Sequence, residues 1–145
     1  MAVRREVLKK VSGFDPELGP GALGFGDDTL FGLRLESAGF PAMGVKDAIV
    51  EHHFDKSRLR GSSLVDASIR RGRSMAYIHH HWLHGVVTNL NRKIIARRIE
   101  LMLWRVAHCE LRASSEGFPE EGLRRFRGLS FLLQFRREKL RRPTY

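Results

Sequence analysis

The sequence predicts an α/β fold in its first part, with two short strands, followed by a mostly helical tail. Three observations predict it. Apolar residues recur at helical spacing between Thr29 and Ala38. Two short β-favouring pieces follow, Phe40 to Val45 and Ala48 to Phe54. From Ser62 onward the pattern is almost wholly helical. The expected division is residues 1–60 and a helical, basic extension over 61–145.

In chain order, Arg4 to Val11 reads as a short helix, with Val7 and Val11 four apart and Gly13 available as a left-handed cap. Phe14-Asp15-Pro16-Glu17 reads as a turn. Residues 19–26 hold four glycines and a proline, which marks a loop of little intrinsic order. Its Gly19-Pro20-Gly21-Ala22-Leu23-Gly24 is formally GxGxxG, but a dinucleotide site needs a strand before it and a helix start directly after it. Here a proline turn precedes and the helix begins late. In the helix from Thr29 to Ala38, Phe31, Leu35 and Ala38 share a face and Gly39 ends it. Two strands alone make no stable sheet, so partner strands outside this chain are expected.

The tail resolves into three helices. The first has Ser62 or Ser63 as its cap and runs to about His84, where Gly85 breaks it. The second spans Asn91 to Arg112, with Ile95, Ile99, Met102 and Val106 lining one face and Leu103 beside them. Ser114-Ser115-Glu116-Gly117 is a break. The third runs from Glu120 to Leu140 after Pro119, its apolar face carried by Phe126, Leu129 and Leu133.

The 145-residue chain is the size of one domain and can bury a core. No apolar run reaches the roughly 18 residues a membrane span requires, and the charged N-terminus does not look like a signal peptide. A lone Cys109 forms no intrachain disulfide. The expected location is cytoplasmic or membrane-associated. The net charge of +10 is uneven: residues 1–90 hold 12 Lys+Arg and 10 Asp+Glu, whereas residues 91–145 hold 14 and 6. The C-terminal third therefore suits an anionic partner.

Chemistry centres on Asp27-Asp28, where the glycine loop becomes a helix. Aspartate there commonly caps exposed N–H groups. Two adjacent carboxylates exceed what one cap needs, and a carboxylate on a rigid helix start beside a glycine loop is well placed as a general base. His80 and His84 are four apart in one helix and could share a metal, but no His-Glu-x-x-His pattern accompanies them, and Tyr77 and Trp82 interleave as in ordinary packing. In the tail, Arg124, Arg125, Arg127, Arg136, Arg137, Lys139, Arg141 and Arg142 accompany Phe126, Phe131, Leu132, Leu133 and Phe135. That is a solvated helix face, a membrane-surface helix or a nucleic-acid-binding one.

Five motifs occur in order: Ala2-Val3-Arg4-Arg5, Gly13-Phe14-Asp15, Gly26-Asp27-Asp28-Thr29-Leu30-Phe31-Gly32-Leu33-Arg34-Leu35, Ala38-Gly39-Phe40 and Ala48-Ile49-Val50-Glu51-His52. Together they resemble the C-terminal, acceptor-side half of a family 2 glycosyltransferase of the GT-A fold. The resemblance covers residues 1 to about 55. It implies an inverting transfer from a nucleotide sugar to the hydroxyl of a sugar or lipid-linked acceptor, with a divalent metal, Mn²⁺ or Mg²⁺, at the leaving diphosphate. Position by position it implies Asp28 as catalytic base and Asp27 as an orienting carboxylate in place of the usual glutamate. It implies substrate contact at Gly24, Gly26 and Arg34, with Arg34 also structural through pairing with a carboxylate, and His52 facing the metal or the diphosphate. The family's nucleotide-binding half, with its Asp-x-Asp, is not found in this sequence. The expectation is a fragment without activity alone, with peripheral membrane contact through the basic tail, self-association through an exposed strand edge, and no nucleic acid partner. A small basic helical module binding anionic surfaces is the other reading.

Overall fold

The computed structural model describes residues 3–41, 43–53, 55–109 and 117–145. The chain divides into two compact units, residues 1–53 and 54–145. Among the described residues the regular elements are helices: α1 (Asp27–Ser37), α2 (Gly61–His81), α3 (Leu90–Ala107) and α4 (Glu120–Glu138), with single 3-10 turns at Val7–Lys9 and Lys56–Leu59. None of these helices is long and apolar enough to cross a membrane.

The α/β fold with two short strands is therefore corrected: no strand occurs among the described residues. Residues 43–53 run without regular structure (Ala42 and Phe54 lie outside the described residues), and Ile49 and Val50 are each 85% exposed. Their β-branched side chains favour extended backbone, but propensity makes no sheet without a neighbouring strand to take up the amides and carbonyls.

In the first unit, Val11, Leu18, Leu23, Leu30 and Phe31 are buried. The glycine-rich loop is more ordered than its composition suggests. Phe25 N–H donates to the Leu18 carbonyl at 2.9 Å, and Leu23 N–H to that of Glu17 at 3.0 Å. Buried Asp15 accepts the Glu17 amide at 2.8 Å, so its carboxylate closes the Pro16 turn. Gly13 does not adopt the expected left-handed conformation, whereas Gly39 does, at φ 80°. There, Phe40 N–H reaches the Leu35 carbonyl and Gly39 N–H that of Glu36, a Schellman closure of α1.

The second unit is built on α2 against α4, and α3 also packs on α4. Ala76, Tyr77, Ile78, Leu132 and Phe135 fill the first contact, and Ile94, Leu101 and Trp104 face inward from α3. Buried Gly72 lets the two long helices cross closely: a Cβ there would press on the Arg127 carbonyl. The apolar face expected of the second tail helix, Ile95 to Val106, points to solvent instead. That helix ends at Ala107. It stops short of the expected end at Arg112, with His108 as its cap; residues 110–112 of that extension and the Ser114-Ser115-Glu116 break lie outside the described residues. Neither Ser62 nor Ser63 caps α2. Its cap residue is Arg60, and the Ser63 hydroxyl instead donates to the Ser57 carbonyl at 2.8 Å.

Candidate functional site

Helix α1 starts two residues earlier than periodicity indicates, which places Asp27 and Asp28 inside its first turn. Gly26 precedes them at φ 79°, ψ 9°, a left-handed conformation that a side chain would strain. Two acidic residues there meet the unpaired amides and the positive end of the helix dipole. Asp28 is exposed, and its Oδ1 accepts the Thr29 amide at 2.7 Å and the Thr29 hydroxyl at 3.3 Å. One oxygen is thus engaged in the helix start. Asp27 is half-buried, and its Oδ2 is the nearest atom to Gly19, at 3.8 Å from where a Cβ would stand.

Two contacts fix this helix on the preceding motif. The Phe14 and Phe31 rings lie 4.8 Å apart between centroids. Arg34 Nη1 donates to the Gly13 carbonyl at 3.1 Å, across 21 residues of sequence. The Gly13 carbonyl is thus one partner of Arg34. Gly24, Gly26, Asp27, Asp28 and Arg34 therefore belong to one loop–helix element. His52 lies apart from it in sequence, exposed in the irregular segment after α1.

Among the described residues no group of three His, Cys, Asp or Glu is arranged to hold a metal ion. The His80 and His84 pair lines a cleft of about 210 Å³ with Val86, Val87, Phe135 and Lys139, where the ammonium opposes a cation. His80 Nε2 lies 3.1 Å from the Arg141 carbonyl, and the His79 ring packs near Phe131 and Phe135.

The sequence reading missed a buried polar network in the helical unit. His81 is 0% exposed and Glu138 2%. His81 Nε2 stands 3.1 Å from Glu138 Oε2, while Nδ1 accepts the Thr144 amide at 3.1 Å. Because Nδ1 accepts a backbone N–H, the hydrogen-bond pattern assigns the ring proton to Nε2, which donates to the carboxylate. Gln134 Nε2 and Arg141 also donate to Glu138. The network ties the C-terminal residues to α2, and Tyr145 packs edge-on to Trp82 at 5.7 Å. The sequence did carry a signal: Glu138 is a lone acid among Arg136, Arg137, Lys139, Arg141 and Arg142.

Asp55 caps the turn that opens the helical unit. The Ser57 amide donates to it at 2.8 Å, and this bond, helped by the Ser57 side chain, holds its carboxyl below the ordinary carboxylate range.

The chain matches no family model, no curated protein and no solved structure.

Proposed function

We propose that the first unit supplies the acceptor side and general base of an inverting glycosyltransferase that uses a nucleotide sugar. In this reading Asp28 takes the proton from an acceptor hydroxyl as its oxygen attacks the anomeric carbon and the nucleoside diphosphate leaves from the opposite face. Asp27 orients the acceptor, and Gly24 and Gly26 let it approach the backbone. The observation that carries the reading is the seating of the acidic helix start. Phe14 on Phe31 and Arg34 on the Gly13 carbonyl join two of the five motifs, and Asp28 stays exposed at their edge. A base fixed in place while open to solvent is what proton abstraction from an incoming hydroxyl needs.

The divalent ion that the resemblance implies finds no donor set among the described residues of this chain. Donor binding belongs, in this proposal, to a complementary half that carries the Asp-x-Asp this sequence lacks.

The test is a transfer assay with a panel of nucleotide sugars and Mn²⁺ or Mg²⁺. It is run on this chain alone and on the chain joined to the polypeptide encoded immediately upstream. The joined protein turns over, and Asp28→Asn lowers its kcat by about 10²–10⁴-fold with little change in donor KM. Robust turnover by the chain alone overturns the division of labour. An Asp28→Asn protein as fast as the parent removes the base.

A further inference from the structure

Helix α3 has two apolar sides, and its own fold covers one of them. Ile94, Leu101 and Trp104 face the helical unit and are buried. On the other side Ile95, Ile99, Met102, Leu103 and Val106 are each between 53 and 68% exposed. At about 3.6 residues per turn these five fall within roughly 100° of arc, as wide as the stripe a helix ordinarily turns to a core. Single exposed apolar residues need no account, but five contiguous ones over three turns mark a surface that something covers.

We propose that this face of α3 docks on an anionic lipid bilayer, lying in the plane of the interface with its apolar stripe among the acyl chains. Charge selects the occupant. Residues 54–145 hold 20 Lys+Arg and 8 Asp+Glu, so the unit that carries the stripe has a net charge of +12. A second copy would set +12 against +12, which opposes self-association through this face. Within α3 itself, Arg92, Lys93, Arg97, Arg98 and Arg105 stand against Glu100 alone. Arg98 and Arg105 border the stripe along one edge and are exposed, where guanidinium groups reach lipid phosphates while the stripe is immersed. The backbone of α3 is satisfied by its own helix, so immersion strands no amide or carbonyl. The arginine-bearing helix α4 is less suited: Leu132 and Phe135 are buried, and Phe126, Phe131 and Leu133 are half-buried. This inference does not depend on the role of Asp28.

The experiment is flotation of the full chain with vesicles of phosphatidylcholine alone or of equal parts phosphatidylcholine and phosphatidylglycerol. The parent is compared with Ile99→Glu/Met102→Glu, and sedimentation equilibrium is run on both. Both substitutions fall on exposed positions, and far-UV circular dichroism checks that the helices persist. The parent floats with the anionic vesicles and stays behind with the neutral ones, and the double variant loses more than about tenfold in partitioning. Failure of the parent to bind anionic vesicles overturns the proposal. So does equal binding by the double variant, which makes the contact a matter of charge alone, and so does equal flotation with neutral vesicles. A parent dimer that the double variant dissolves, with no vesicle binding, assigns the stripe to a second copy and overturns it as well.

Discussion

The close approach of α2 to α4 depends on one missing methyl group, and a pair of identical substitutions exposes it. At Gly72 a Cβ would lie 3.1 Å from both the Arg127 carbonyl carbon and the Phe131 amide nitrogen, and nearer still to the Arg127 oxygen. All three are backbone atoms of α4, so no side-chain rotation relieves the contact. The helices must separate, and Ala76, Tyr77, Leu132 and Phe135 lose packing together. Overpacking of this kind costs about 1–3 kcal/mol. Against it, alanine is intrinsically better than glycine in a helix interior by roughly 1 kcal/mol. With a rigid obstruction the cost falls toward its upper end, so Gly72→Ala destabilises by about 1–2 kcal/mol. Gly128 in α4 is the control, because nothing lies within 4 Å of its Cβ position. The same substitution there stabilises by about 0.5–1 kcal/mol. Both tryptophans, Trp82 and Trp104, lie in the helical unit, so urea unfolding followed by tryptophan fluorescence reports that unit. In heating experiments the two variants move in opposite directions by about 4–8 °C per kcal/mol. If Gly72→Ala is as stable as Gly128→Ala, the crossing is not as close as described.

Other outcomes follow from the polar groups. Glu138→Ala leaves the buried His81 and Gln134 donors without this acceptor and removes an Arg141 partner, and destabilises the helical unit by about 2–4 kcal/mol, read as a urea midpoint. A loss under about 1 kcal/mol would show that the network is not formed. Asp55 has a folded pKa below its unfolded one, so its contribution is present above the unfolded pKa and disappears as pH falls through the folded value. An NMR titration of the Ser57 amide therefore gives a midpoint below that of an unfolded aspartate, and a midpoint at or above that value refutes the hydrogen bond.

What the sequence revealed was mostly local. Periodicity and capping placed α1 within two residues, put its end at Gly39 and set the start of α4 at Glu120 after Pro119, because these signals lie within a turn or two of what they control. Which side of α3 faces inward was not legible. Ile95, Ile99, Met102 and Val106 make the fuller stripe, yet Ile94, Leu101 and Trp104 are the residues that meet the rest of the unit. Helical spacing gives an amphipathic face its width and no information about its partner. The position of Asp28 at a helix start was readable from the glycines before it. The contact of Arg34 with the Gly13 carbonyl was not, since a backbone acceptor leaves no mark on composition. The pairing of His81 with Glu138 spans 57 residues, and only the assembled helices bring it about. The predicted strands failed for the same reason in reverse: strand propensity is local, but a sheet requires distant pairing.

Among the described residues, two stretches each carry several exposed apolar side chains close together, and the backbone beneath each decides what can cover it. Along residues 43–53, Met43, Val45, Ile49 and Val50 are exposed on a chain whose described internal backbone hydrogen bond is the turn from Ala48 to Val45. Burying that segment in lipid or against a flat apolar wall would desolvate peptide groups and give nothing back, at a cost of about 1–3 kcal/mol for each group left unpaired. Only a strand, which returns a hydrogen bond for each one taken from water, covers it without that loss. On α3 the ladder of the helix already satisfies the peptide groups, so any apolar phase serves, and a net charge of +12 on its unit narrows the choice to an anionic one. The lipid-surface proposal for α3 therefore makes no use of residues 43–53. A substitution such as Ile49→Glu should leave vesicle binding by α3 unchanged.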